Sequence, residues 1–146
     1  MDITTQDIPE TVTSISQAAE LTGLTEDTIR YYERIGLLPY ADRKPNGHRQ
    51  YSKDQILGIR FLLRLKATGM TLEEMRHYLE LTRQGDSTLS ERYTLLEAHN
   101  DYIAREIAKL QETQDVIRYK LRHFRELAEN PNTDAYDCEV PGDSGR

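Results

Sequence analysis

Tryptophan is absent from this chain of 146 residues and cysteine occurs once, as Cys138. A single thiol excludes an internal disulfide and any four-cysteine metal centre. Zinc or copper needs deprotonated sulfur or clustered imidazole, and His48, His77, His99 and His123 show no pairing at ligand spacing. No metal and no cofactor is therefore expected. Long apolar runs are also missing: none approaches the roughly 18 residues that a membrane-spanning helix needs. The opening MDITTQDIPETVT is acidic and has no apolar h-region, so it does not read as a secretory leader, and cytoplasmic residence is expected. Neither a nucleophile paired with a base nor a glycine-rich phosphate loop occurs, which leaves an enzyme without machinery.

What is present is charge and tyrosine. The chain is 30% charged and 37% hydrophobic, with a mean hydropathy of -0.73, the composition of a soluble protein with a limited core. Its net charge of -6 argues, taken whole, against a nucleic-acid partner. The distribution reverses that inference. Residues 12–70 hold nine Lys and Arg against six Asp and Glu, whereas residues 71–129 hold nine against twelve. Global charge governs solubility, but a local basic face sets affinity for phosphate.

Residues 1–12 show no apolar periodicity and read as a flexible arm. Ser14 with Gln17 forms a capping-box pattern ahead of a short helix that Gly23 ends. Thr25 caps a second helix, in which Glu26 and Asp27 suit the positive end of the helix dipole and Gly36 supplies the stop. Two short helices across a glycine turn make a helix-turn-helix, whose second helix is the one offered to a DNA groove. This second helix carries Arg30, Tyr31, Tyr32 and Arg34. It leads into an Asn46-Gly47 hairpin, a pairing whose central residues are both expected at positive φ, with Arg49 and Tyr51 on the returning arm. Ser52 with Gln55, Thr71 with Glu74 and Thr88 with Glu91 repeat the capping pattern before three further apolar-periodic runs.

From Leu89 the period becomes seven. Leu89, Leu96, Ile103, Leu110, Ile117 and Phe124 recur at that interval, and Tyr93, Asn100, Ile107, Gln114, Leu121 and Ala128 follow four residues after each. Such a seam, held for about six heptads, faces one partner only in a coiled coil. No second helix of that length occurs, so the expected partner is another copy; the alternative is a helix folded back on the N-terminal domain. Asn100 and Gln114 at seam positions lower stability and fix register. Residues 130–146, rich in Pro, Gly and Asp, read as a disordered tail. Cys138 lies there among acidic residues, which disfavour a thiolate and hence a redox sensor.

The string TIRYYERIGLLPYADRKPNGHRQYSKDQILGIRFLLRLKATGMTLEEM resembles the MerR family of bacterial transcription regulators. The likeness rests on the R-Y-Y-E-R-x-G-L-L helix, the N-G-x-R-x-Y wing and the G-M-T-L-E-E helix junction. It implies a mainly α fold: a winged helix-turn-helix DNA-binding domain over residues 13–83, then an antiparallel coiled-coil dimerisation helix over residues 86–129. It also implies a homodimer on palindromic double-stranded promoter DNA, acting on RNA polymerase indirectly by bending and undertwisting the promoter. By motif position, Thr25, Thr28 and Arg30 would lie nearest base edges. Tyr31 and Tyr32 would meet the DNA backbone, unless one of them is a core residue, and Arg43, Lys44, Arg49, Tyr51 and Lys66 would bind phosphates. Leu89, Tyr93, Leu96, Ile103, Ile107, Leu110, Ile117, Leu121 and Phe124 would form the dimer seam. In length the chain looks like a short aldehyde-responsive subgroup, yet Arg64 stands where that subgroup has its helix-3 cysteine. The effector is not legible. A coiled-coil protein whose head binds protein instead of DNA is the competing reading.

Overall fold

The computed structural model describes residues 7–38 and 41–130. The expected tail, with Cys138, lies outside the described residues save for Asn130. In chain order the elements are strand β1 (Thr11–Val12), helices α1 (Ile15–Thr22) and α2 (Glu26–Arg34), strands β2 (Asp42–Arg43) and β3 (Arg49–Ser52), and helices α3 (Lys53–Ala67) and α4 (Leu72–Gln84). A 3-10 turn, Asp86–Thr88, then precedes α5 (Leu89–Glu129). The chain divides into two compact units, Met1–Glu97 and Ala98–Arg146.

The helix starts follow the sequence signals closely. Ser52 and Gln55 form a reciprocal capping box at α3, as do Thr71 and Glu74 at α4. At α1 the Ser14 side chain accepts from the Gln17 N–H at 3.1 Å, while Gln17 reaches back to Thr13 and not to Ser14, so only half of that box closes. Thr88 departs from expectation altogether. It is buried, and its hydroxyl donates to the carbonyls of Leu81 at 2.6 Å and Gly85 at 2.8 Å, joining the end of α4 to the start of α5 without capping either.

A small antiparallel sheet in the order β1-β3-β2 lies beside these helices. Here the expected flexible arm over 1–12 is corrected in its described part. Thr11 pairs with Ser52 and Val12 with Tyr51, and Ile8 and Val12 are both buried in the core. A two-residue strand is too short to register as alternation, which is why the sequence showed no period there. The hairpin between β2 and β3 lies where Asn46-Gly47 placed it but closes differently. Only glycines have positive φ among the described residues, Gly47 at 85°, so Asn46 is not left-handed. Lys44 O accepts from Gly47 N at 2.8 Å with Pro45 and Asn46 between them, and Lys44 N donates to His48 O at 2.9 Å. This is a three-residue loop built on a type I turn with a left-handed glycine after it, favoured because proline pre-sets the first turn residue.

The core draws on β1, β3 and helices α1 to α4, with Ile29, Leu37, Leu38, Tyr51, Ile56 and Ile59 essentially inaccessible. Along α5, Leu95 and Leu96 pack against this core as partly buried side chains. The seam residues Leu89, Tyr93, Ile107, Leu110, Ile117, Leu121 and Phe124 are exposed, by 50% at Ile107 and 70% at Leu110. No described helix is long and apolar enough to cross a membrane.

The role of the N-terminal segment is open to a direct test. Ile8→Ala should lower the unfolding free energy by about 2–4 kcal/mol in a urea titration, the usual loss for truncating a buried isoleucine. An unchanged midpoint would return residues 7–12 to the status of a solvated arm.

Candidate nucleic-acid interface

Helix α2 is stopped by a glycine turn that also seats the two leucines after it. Gly36, at φ 75°, donates to Glu33 O at 3.1 Å, and Leu37 donates to Tyr32 O at 2.8 Å. These two bonds satisfy the last carbonyls of the helix, and the left-handed residue they need is adopted without strain only by glycine. Leu37 and Leu38 turn into the core as a result.

On the inner side of the last turn of α2 lies Glu33, which is 3% exposed. Its carboxylate accepts from Arg49 Nε and lies 3.2 Å from Arg49 Nη2, both through Oε2, while Oε1 accepts from the Tyr51 hydroxyl at 3.1 Å. Arg49 and Tyr51 are two residues apart on β3 and therefore point to the same face. Burial, reinforced by the negative charge of Glu33, raises the Tyr51 phenol well above its ordinary pKa, so it remains a donor. A buried carboxylate is tolerated when its lone pairs are filled by charge-assisted bonds, which is the arrangement here. The wing and the second helix of the helix-turn-helix are thereby locked together.

This lock corrects one expected phosphate ligand and recasts another. Tyr51 is 1% exposed and faces Glu33, so it is a core residue and not a backbone contact. Arg49 keeps only a partly exposed side chain and commits its guanidinium to the same carboxylate. Glu33 itself was not among the expected site residues. Its signal in the sequence is its spacing, four residues after the core residue Ile29 on the inner face of α2, matched with a donor pair at period two on the wing.

The outward face of α2 holds the remaining candidates. Arg30 pairs with Asp27 at 3.0 Å and Glu26 at 3.5 Å within the helix. The Thr25 hydroxyl is spent on the helix start, accepting from Thr28 N and donating to Thr28 Oγ1 at 2.8 Å. Tyr31 is half exposed, with the Arg34 guanidinium 5.8 Å from its ring centroid. Tyr32 is partly buried beside it, at 5.9 Å between centroids, and Lys66 of α3 both hydrogen-bonds its hydroxyl and lies 4.7 Å from its ring centroid. Tyr32 is thus the bridging member of the pair and Tyr31 the presented one. In the wing, Arg43 is exposed and donates to Gly47 O at 3.2 Å, and Lys44 is partly exposed at the start of the turn. Among the described residues no cluster of His, Cys, Asp or Glu has the makings of a metal site.

Two family models match this chain: "MerR HTH family regulatory protein" over residues 13–82 and "MerR, DNA binding" over residues 58–119. The chain belongs to the MerR family. An uncharacterized HTH-type transcriptional regulator of Haemophilus influenzae is 34% identical over 110 residues, which span 75% of this chain and 82% of that protein. The solved structure of HiNmlR, a MerR family regulator lacking the sensor domain and bound to promoter DNA, superposes with a TM-score of 0.71. It is 32% identical, and the match covers 83% of this chain and 95% of that one. A MerR family transcriptional regulator from Bacillus thuringiensis has a TM-score of 0.67 at 27% identity, covering 75% of this chain and 96% of that one. As a MerR-family member the chain is a DNA-binding transcriptional regulator, and the reading of its head as a purely protein-binding module falls away. The first family match ends inside α4, so it spans the helix-turn-helix, the wing and the Lys66 contact together.

The Glu33 lock has a measurable worth. Glu33→Ala should cost about 3 kcal/mol of stability, because it leaves Arg49 partly buried without its partner charge. Tyr51→Phe should cost about 1.5 kcal/mol, the loss of one hydrogen bond to a charged group. Urea unfolding of both variants checks this, and equal stability of Glu33→Ala and the parent would show the lock to be ornamental.

Proposed function

We propose that the chain works as a homodimer on a palindromic promoter site, with α5 pairing antiparallel to α5 of a second copy and the two heads reading the two half-sites. The dimer bends and undertwists the promoter duplex, and RNA polymerase responds to the altered spacing of the promoter elements. The observation that carries this reading is the Glu33 lock, which makes α2 and the wing one surface. A helix enters the major groove while the basic loop beside it holds the flanking phosphates.

On that surface Thr28 and Arg30 are the residues for base edges. The two ion pairs of Arg30 are on the helix exterior, where each is worth about 0.3–0.5 kcal/mol. A bidentate contact with guanine is worth about 1–3 kcal/mol, so Arg30 exchanges its intrahelical partners for a base at little cost. Tyr31 with Arg34, Lys66 beside Tyr32, and Arg43 and Lys44 in the wing serve phosphates. Arg49 serves by holding the wing in place. Thr25 serves by starting the helix at the right residue.

The exposed seam of α5 supports the dimer. Fully burying a Leu or Ile side chain contributes about 1.5–3 kcal/mol, and a row of them left in water on a helix of 41 residues forgoes that gain at each position. A second α5 covers the row, and Asn100 and Gln114 set its register.

A mobility shift on the DNA upstream of the protein's own gene tests the reading as a whole. Lys44→Ala should weaken binding to every duplex and reduce the log-log salt slope by about 0.9, the counterion release of one phosphate contact. Arg30→Ala should instead cost about 1–3 kcal/mol at the operator alone and relax its sequence preference; a loss shared by all duplexes would make Arg30 a backbone contact. Ile107→Asp should sediment as a monomer, and an intact dimer would refute the pairing of α5.

A further inference from the structure

Within the head, α3 and α4 line a half-open cavity of about 280 Å³ that the DNA-binding surface does not use. Its walls are Phe61, Leu62, Tyr78 and Leu79, and the two rings stand 5.8 Å apart at 54°. Leu62 and Leu79 are buried, Tyr78 is partly buried and Phe61 is 39% exposed, so the space has a closed apolar floor and an open side.

Gly58 also lines this space, in the middle of α3. A glycine there weakens the helix by about 1 kcal/mol relative to alanine. No backbone reason accounts for it: its φ is not positive, and an added Cβ would meet nothing within 4 Å. What its missing side chain does is leave the cavity open.

The size and charge of the space select an occupant. A cavity of about 150 Å³ lined by aliphatic and aromatic side chains takes one benzene ring, and this one is nearly twice that volume. Asp54 and Arg83 carry opposite charges at its edge, and its walls carry none. An ion of either sign would gain nothing from such a lining, whereas a neutral molecule with one small polar edge suits both the walls and the two charged groups. We propose that the cavity between α3 and α4 binds an uncharged, apolar molecule about the size of two fused aromatic rings. Its position gives it leverage on the reading surface, since α3 begins at the end of β3 and ends near Lys66 on Tyr32. That regulatory consequence rests on the DNA-binding reading; the ligand site does not.

Indole is a suitable probe, because the full chain has no tryptophan to compete with its fluorescence. Titration of the full-length protein, without DNA, should show saturable binding by a rise in indole anisotropy. Gly58→Leu, which places a side chain across the space, should weaken that binding at least tenfold with a thermal midpoint no lower than the parent's. Tyr78→Ala, which removes one wall, should weaken it as well, and Gly58→Ala should bind like the parent. No saturable binding, or equal binding by Gly58→Leu, would overturn the proposal. So would a Gly58→Leu protein whose dimerisation changes while indole fails to bind the parent, since a second copy would then be the occupant. A separate operator titration of the ligand-free protein reports on DNA binding alone, so its failure and that of the cavity are told apart.

Discussion

A negative charge buried among a positive and a neutral donor is the constraint around which the head is arranged. Removing a carboxylate from water costs several kcal/mol, and the cost is offset only where its oxygens are filled in good geometry. Glu33 meets that condition with Arg49 on one oxygen and Tyr51 on the other. An apolar trio of equal volume would hold the two segments together with at least as much stability. It would not define their relative angle so narrowly, because dispersion contacts tolerate sliding and a carboxylate held on both oxygens by directional hydrogen bonds does not. On the proposed reading, in which α2 and the wing meet one duplex together, that narrower definition is an advantage.

Much of the fold was legible in the sequence, and for physical reasons. Ser52, Thr71 and Thr25 mark helix starts because a hydroxyl there satisfies an N–H that nothing else reaches. Gly36 and Gly23 mark helix ends because they accept left-handed φ. The seven-residue period made α5 visible along its whole length. What stayed hidden depended on distant partners. Tyr51 beside Arg49 reads equally well as a phosphate ligand and as a donor to a carboxylate, and the residue that decides lies 18 positions earlier. Glu33 sits in a string of charged residues, where one inward-facing member looks like its solvated neighbours. Thr88 fitted the capping pattern, yet its hydroxyl served two carbonyls that only the α4 to α5 turn brings near. β1 was invisible because a strand of two residues has no period.

The row of apolar residues on α5 is not used uniformly. Within the first unit Leu89 and Tyr93 are exposed, whereas Leu96 and the off-seam Leu95 are packed against the core of the head. Further along, Ile107, Leu110, Ile117, Leu121 and Phe124 stand in solvent. The heptad row therefore serves two kinds of packing, against its own chain at Leu96 and against whatever covers the exposed positions elsewhere. Leu96 is the seam position at which the first kind intrudes on the second.

Ser52 is at once the last residue of β3 and the cap of α3, so no slack exists between strand and helix. A rod joined to a blade without a hinge transmits torque. Any rotation of α3 about its own axis must twist the blade that carries Arg49, and any force on that blade must be felt along the rod. The same absence of slack makes the junction intolerant of length: one residue inserted after Tyr51 would leave the hydroxyl of Ser52 out of phase with either its strand or its helix. The head is built to keep its parts in step, and the junction at Ser52 is where that synchrony is enforced by chain geometry alone.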